Sequence, residues 1–178
     1  MTTYVALLYS VVIDKTRRVV MSDLRGIAET LGHANVRTLA ATGNLVFEAD
    51  DQPVGTMETA LEKAFAYFHG KHVDIIIRTA DRWRKLVAAN PFPNESGENP
   101  DRVNVRVMRE PAAETVARLF QPYQTQGEQV CIVDGDVWIA FAGRPSESKL
   151  LGLLSPKRMG GIGTARNWNT VRRLGEML

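Results

Sequence analysis

The chain has 178 residues, of which 44 % are hydrophobic and 24 % charged, with a formal net charge of +2 at pH 7. That is the composition of an ordinary globular protein, and at this length folding buries roughly 70 % of the surface the unfolded chain exposes. The core needs no disulfide or metal. The single cysteine, Cys131, allows no intramolecular bridge and suits a reducing cytoplasm. No apolar run reaches the roughly 18 residues of a membrane span, and the start Met1-Thr2-Thr3-Tyr4 lacks the basic region of a signal peptide. A cytoplasmic protein without membrane association is expected.

Taken in chain order, Tyr4 to Tyr9 is a nearly continuous apolar run, as in a strand buried on both faces. Ser22 can cap a helix running to Leu31, with Leu24, Ile27, Ala28 and Leu31 as its apolar stripe and Gly32 as its stop. Val36 to Ala41 and Leu45 to Glu48 read as strands around Thr42-Gly43-Asn44, a hairpin signal. Thr56 to Phe68 is a second amphipathic helix, and Val73 to Arg78 another strand. This β-α-β-β-α-β order is the split βαβ arrangement of ferredoxin-like domains.

The second half partly repeats the scheme. Thr79 caps a helix through Trp83, Leu86 and Val87, broken at Pro91-Phe92-Pro93. Asn94 to Pro100 reads as a polar surface loop, Val103 to Val107 as a half-buried strand, and Pro111 to Phe120 as a helix. Val130 to Val133, Asp134-Gly135 and Val137 to Phe141 give the strongest hairpin signal in the chain. Ser146 to Leu154 and Trp168 to Leu178 are expected as closing helices. The fold class is therefore α+β. A ferredoxin-like unit over residues 1–79 is packed with a second βαββ-type unit and C-terminal helices over 80–178, as one compact two-unit domain.

The frame Tyr4 to Leu8, Met21 to Arg25, Thr42 to Phe47, Asn90 to Pro93, Ser148-Lys149-Leu150 and Thr164 to Val171 spans essentially the whole chain. In that order these segments resemble the bacterial family called domain of unknown function 1697. It implies a small cytosolic α+β protein with no assigned activity. Relatives usually carry Arg-Gly-Ile-Asn-Val-Gly-Gly after the first strand. Here residues 9–15 are Tyr-Ser-Val-Val-Ile-Asp-Lys, so any site that loop builds in relatives is altered here.

No catalytic constellation emerges from the residue types. Cys131 falls in an apolar alternating strand and reads as core. His33, His69 and His72 read as surface residues, and no cysteine pair or nearby acidic cluster completes a zinc set around them. Glu58 and Glu62, four apart, look like an exposed charged face. No catalytic residue, metal site or cofactor is implied.

The C-terminal third is different in charge. Residues 144–178 carry seven basic residues against Glu147 and Glu176, a net of +5, which leaves −3 for residues 1–143. A basic tail on an acidic body points to an anionic partner. Met159-Gly160-Gly161-Ile162-Gly163-Thr164 could approach an anion with its backbone, but it lacks the ending of a P-loop. A turn joining two helices, with Thr164 or Asn167 as cap, is the simpler expectation. Beyond it, Asn169 and Arg173 share one helix face while Val171, Leu174 and Leu178 share the opposite one, with Trp168 at its margin.

Three functional classes follow. The first is binding of an anionic ligand, nucleic acid or nucleotide-like, through a basic and amide-rich C-terminal surface. Its contact residues would be Lys149, Arg166, Asn167, Asn169 and Arg173, together with Asn44. The second is an interaction or scaffold protein, as a homodimer. The third is an enzyme whose site is assembled from dispersed residues, with Asn44, Asn90, Lys149, Arg166, Asn167 and Asn169 as first suspects. RNA platforms of the RRM type place aromatics on exposed strand positions, and Leu7-Leu8 and Ile75-Ile76-Ile77 do not supply them. The first class, in a non-catalytic form, is the expectation.

Overall fold

A computed structural model describes all 178 residues. It is α+β, with two four-stranded antiparallel sheets and several helices. By contact density the chain divides into residues 1–85 with 174–178, and residues 86–173. No helix is long and apolar enough to cross a membrane.

In the first unit, β1 (Thr2–Leu8), α1 (Met21–Thr30), β2 (Ala34–Thr38), β3 (Asn44–Ala49), α2 (Val54–His69) and β4 (Ile75–Thr79) follow in the expected order. The sheet runs β2-β3-β1-β4. The core places Ala6 and Leu8 of β1, Leu45 and Phe47 of β3, and Ile75 and Ile77 of β4 with Leu24, Ile27, Leu61 and Phe65 of the helices. Alternate residues Val5, Leu7, Val46 and Ile76 are buried as well, so the sheet is apolar on both faces, as the unbroken apolar run of β1 suggests. Ser22 is not the cap of α1. Val20 holds that position without a side-chain bond, Ser22 lies inside the first turn, and Asp23 supplies the acid that favours a helix start. Leu31 sits beyond the helix and is exposed.

Glu58 and Glu62 do not form a solvated face. Both are buried on α2, where Glu62 Oε1 accepts from the Ile75 amide and Glu58 Oε1 from the Ile77 amide, each at 2.9 Å. β4 is an edge strand, so its outward N–H groups need acceptors that no neighbouring strand supplies. Two carboxylates four apart on a helix match every second residue of that edge. His33 is likewise buried, stacked on Phe47 at 4.4 Å between ring centres. His69 is half-buried between Phe65 and Phe68. Burial lowers the pKa of both imidazoles. His72 alone of the three is a surface residue, bonded to Asp74 at 3.0 Å.

The second unit repeats the strand order, β6-β7-β5-β8, from β5 (Val103–Met108), β6 (Gln129–Val133), β7 (Asp136–Ala140) and β8 (Gly163–Asn167). Its helices are reduced. The expected helix at 111–120 is an extended stretch followed by a 3₁₀ turn, Glu114–Leu119. Ala112 N donates to Gly135 O, and a Cβ on Gly135 would lie 2.4 Å from Pro111 Cβ, so the hairpin tip holds 111–113 extended. The expected helix at 146–154 is two 3₁₀ pieces, Pro145–Glu147 and Leu151–Leu153. Ser148 Oγ accepts from Leu150 N between them, and Gly152 sits inside the second piece, both of which disfavour a continuous helix. Phe120, Leu150, Leu153 and Met159 nonetheless fill the core beside β7.

Residues 94–100 are not a loop. Phe92 precedes α4 (Pro93–Glu98), which Pro93 opens, and a 3₁₀ turn at Pro100–Arg102 follows. The glycine-rich stretch is not a turn between helices either. Gly160 ends α5 (Pro156–Met159) in the left-handed conformation, and Gly163 starts β8, where a Cβ would meet Val107 O at 2.8 Å. These glycines serve close backbone packing. α3 (Ala80–Ala88) starts after Thr79, whose Oγ1 accepts from Arg82 N as expected of a cap, and α6 (Trp168–Glu176) closes the chain.

Candidate functional site

The first turn of α6 is built by its asparagines. Asn167 Oδ1 accepts from Thr170 N at 3.0 Å and caps the helix. Its Nδ2 and that of Asn169 both donate to Asp101 Oδ1, at 3.2 and 2.8 Å. The pattern Asn-Trp-Asn therefore clamps α6 to the 3₁₀ turn before β5. Two amides that could have met an external anion are already turned to an internal carboxylate. Val171 and Leu174 are buried as the periodicity predicts, and Trp168 is half-buried with its ring 6.1 Å from that of Trp138.

A cleft of about 530 Å³ opens beside this turn, wholly within the second unit. Val87 and Ala88 at the end of α3, Asn90, Pro93 and Gly97 of the α4 region, and Trp168, Asn169 and Arg172 of α6 are among its walls. Asn90 is fixed by donating to Ser96 Oγ at 2.8 Å and accepting from Phe92 N at 2.9 Å. A Cβ at Gly97 would meet nothing within 4 Å, so that wall is open space. Trp168 and Arg172, four apart on α6, present a ring and a guanidinium to the same side. The lining contains no histidine, cysteine, lysine or carboxylate. It supplies apolar contact and one cation, while its two amides are held by internal bonds.

Of the residues expected from the sequence, only some reach this cleft. Asn169 lines it, and Asn167 supports it through Asp101. Arg173 is exposed on α6 outside the lining. The Arg166 guanidinium folds onto its own strand, donating to Thr164 Oγ1 at 2.8 Å and Ala165 O at 2.9 Å, and burial pulls its pKa down to about 10. Lys149 lines a separate small pocket with Arg144, Glu128 and Glu147. Asn44 belongs to the first unit and is completely buried, donating to Leu39 O and Thr42 Oγ1. It holds the β2–β3 turn together and offers nothing to a ligand. Pro93, Gly97 and Arg172 also line the cleft, though none was among the expected contact residues; in the sequence Arg172 stands in the basic run after Asn169, four residues beyond Trp168.

A cluster the sequence reading did not anticipate joins Glu62, His72 and Asp74, with ligand atoms within 4.8 Å of one another. These are the residues that could hold a cation. Their positions follow from the protein's own bonds, Glu62 to Ile75 N and His72 to Asp74. The divergent segment after β1 is likewise internally organised. Asp14 accepts from the amides of Thr16 and Arg17 and from the Arg17 guanidinium, which together hold its carboxyl well below the usual range. Lys71 Nζ donates to the Val12 and Ile13 carbonyls.

Among known proteins, the profile of a family described as protein of unknown function (DUF1697) matches residues 1–138. A conserved bacterial protein, SP0830 of Streptococcus pneumoniae, has a similar structure at a TM-score of 0.76 and 22 % identity. The match covers 100 % of this chain and 98 % of that one, and at that identity it speaks for the fold alone. No curated protein matches. The chain belongs to the DUF1697 family.

Proposed function

We propose that this member of the family binds a small anionic ligand carrying a planar ring, nucleotide-like in chemistry, in the cleft between α4 and the first turn of α6. The observation that carries the reading is the meeting of two distant segments, Asn90 to Pro93 and Trp168 to Arg172, around one open volume of about 530 Å³. That volume is within the range of small-molecule sites. Trp168 would offer ring contact, Arg172 a charge-assisted bond to the anionic group, and Val87 and Ala88 apolar contact.

A nucleic-acid backbone fits less well than a mononucleotide. Asp101 sits beside the cleft with both asparagine amides committed to it, and the Arg166 guanidinium is turned onto its own strand. A polyanion would meet that carboxylate and find few available donors.

Tryptophan fluorescence tests the proposal. Trp83 and Trp138 are fully buried, so Trp168 is the ring a cleft ligand can quench. Adenine and guanine mononucleotides should quench it saturably. Arg172→Ala should weaken binding about tenfold or more, as loss of a hydrogen bond to a charged group does. Gly97→Leu should block the cleft, its Cβ starting from open space. Absence of quenching by any mononucleotide at about 1 mM, an affinity limit near −4 kcal/mol, would end the proposal.

A further inference from the structure

We infer that the outer face of α1 and α2 pairs with the same face of a second copy of this chain. The two helices enclose a groove of about 920 Å³, much larger than the small pocket at Lys149, and its lining is dominated by apolar atoms. Its floor is made by small side chains, Gly26 on α1 and Ala60 and Ala64 on α2. Gly26 is unforced by the fold. Its φ is ordinary for a helix, and a Cβ built there meets nothing within 4 Å, although glycine inside a helix costs about 1 kcal/mol relative to alanine. Beside this hole stand two projections, Tyr67 at 95 % and Phe68 at 59 % exposure, consecutive on the last turn of α2.

A hole and a projection on one face satisfy the requirement of an isologous contact, in which each copy offers both halves. The charges agree. Asp23 on the α1 wall and Lys63 on the α2 wall are of opposite sign, so a two-fold axis through the groove brings each Asp23 toward the partner's Lys63. A lipid surface would favour a basic stripe flanking the apolar face, and one acid facing one base does not provide it.

Sedimentation velocity over roughly 1 to 100 µM, the span in which weak interfaces assemble, should show a species of twice 19.8 kDa that grows with concentration. Gly26→Phe fills the hole from open space, and Tyr67→Glu charges a side chain the fold leaves in solvent. Both should remain folded by circular dichroism and sediment as monomers. Asp23→Lys alone should weaken the dimer, and Asp23→Lys with Lys63→Asp should restore it, because the exchange puts opposite charges back across the interface. A wild-type monomer at the highest concentration overturns the inference. So does a dimer indifferent to Gly26→Phe and Tyr67→Glu, or a charge exchange that fails to restore what the single change lost. If the wild type is a monomer and an apolar dye binds it but not Gly26→Phe, the groove belongs to a small apolar ligand instead.

Discussion

Replacing Asn44 by alanine separates a structural from a ligand-contacting role. The side chain is completely buried and donates to Leu39 O at 2.9 Å and to Thr42 Oγ1 at 2.8 Å. Leu39 and Thr42 bracket the β2–β3 turn, in which Ala40 has a positive φ of 54° and Gly43 one of 77°. The amide thus ties the two ends of the turn together from within. Alanine removes both donations and leaves a buried carbonyl short of a partner, at about 1–2 kcal/mol for each bond lost and stranded. The expected destabilisation is about 2–4 kcal/mol, or roughly 4–16 °C in Tm for a chain of this size. Urea and thermal unfolding followed by circular dichroism measure it, and mononucleotide quenching of Trp168 should be unchanged in the folded variant. A variant of wild-type stability that has lost the ligand would refute the structural assignment.

Other positions give sharp outcomes. Glu58→Ala with Glu62→Ala should cost about 2–6 kcal/mol, since each exposes one edge amide of β4 to the penalty of about 1–3 kcal/mol for a buried unsatisfied donor. Wild-type urea midpoints would count against the edge-cap reading. Gly43→Ala should destabilise through both its positive φ and a Cβ 2.8 Å from Leu8 Cβ, as judged by a lower Tm. The imidazoles of buried His33 and half-buried His69 have folded pKa values below their unfolded value of about 6.5. The folded state therefore binds fewer protons than the unfolded one. Their stability contribution is intact above that value and is lost as pH falls below it toward the lowered folded pKa values. Thermal scans at descending pH should show the loss, and His33→Phe should reduce it.

Seven of the eight strands were legible because each carries its own pattern. β1 is an apolar run, β5 alternates, and β6 and β7 flank Asp134-Gly135, where both turn residues have positive φ. The shorter helices were not legible. Pro111 suggested a helix start, yet it packs on Gly135, and where a helix from Ser146 was expected Pro145 opens only a 3₁₀ turn. Those outcomes depend on tertiary contacts that no local window contains. β8 was hidden for the same reason, since Gly163-Thr164-Ala165-Arg166-Asn167 becomes a strand only against β5. Glu58 and Glu62 misled in a different way. Spacing places them on one helix face, but only the sheet order shows that the face meets an edge strand.

The cleft follows from the difference between the two units. Both sheets have the same strand order, but full-length α1 and α2 cover the first, whereas the second is filled by 3₁₀ turns and isolated side chains such as Phe120 and Leu153. A 16-residue helix such as α2 closes a surface with a continuous side-chain stripe. Pieces as short as α4 and its neighbouring 3₁₀ turn meet at their ends and leave gaps there. The open volume beside Gly97 lies at such a junction, where α3 ends, α4 starts and α6 begins. The clamp of Asn167 and Asn169 on Asp101 ties the first turn of α6 to that junction. Asp101→Ala should therefore loosen the first turn of α6 and weaken mononucleotide quenching by several-fold while leaving Arg172 in place. Asp101→Asn retains an acceptor oxygen for the two amides and should recover most of the affinity. Equal losses in the two variants would show that the Asp101 charge, rather than its hydrogen bonds to the helix, supports the site.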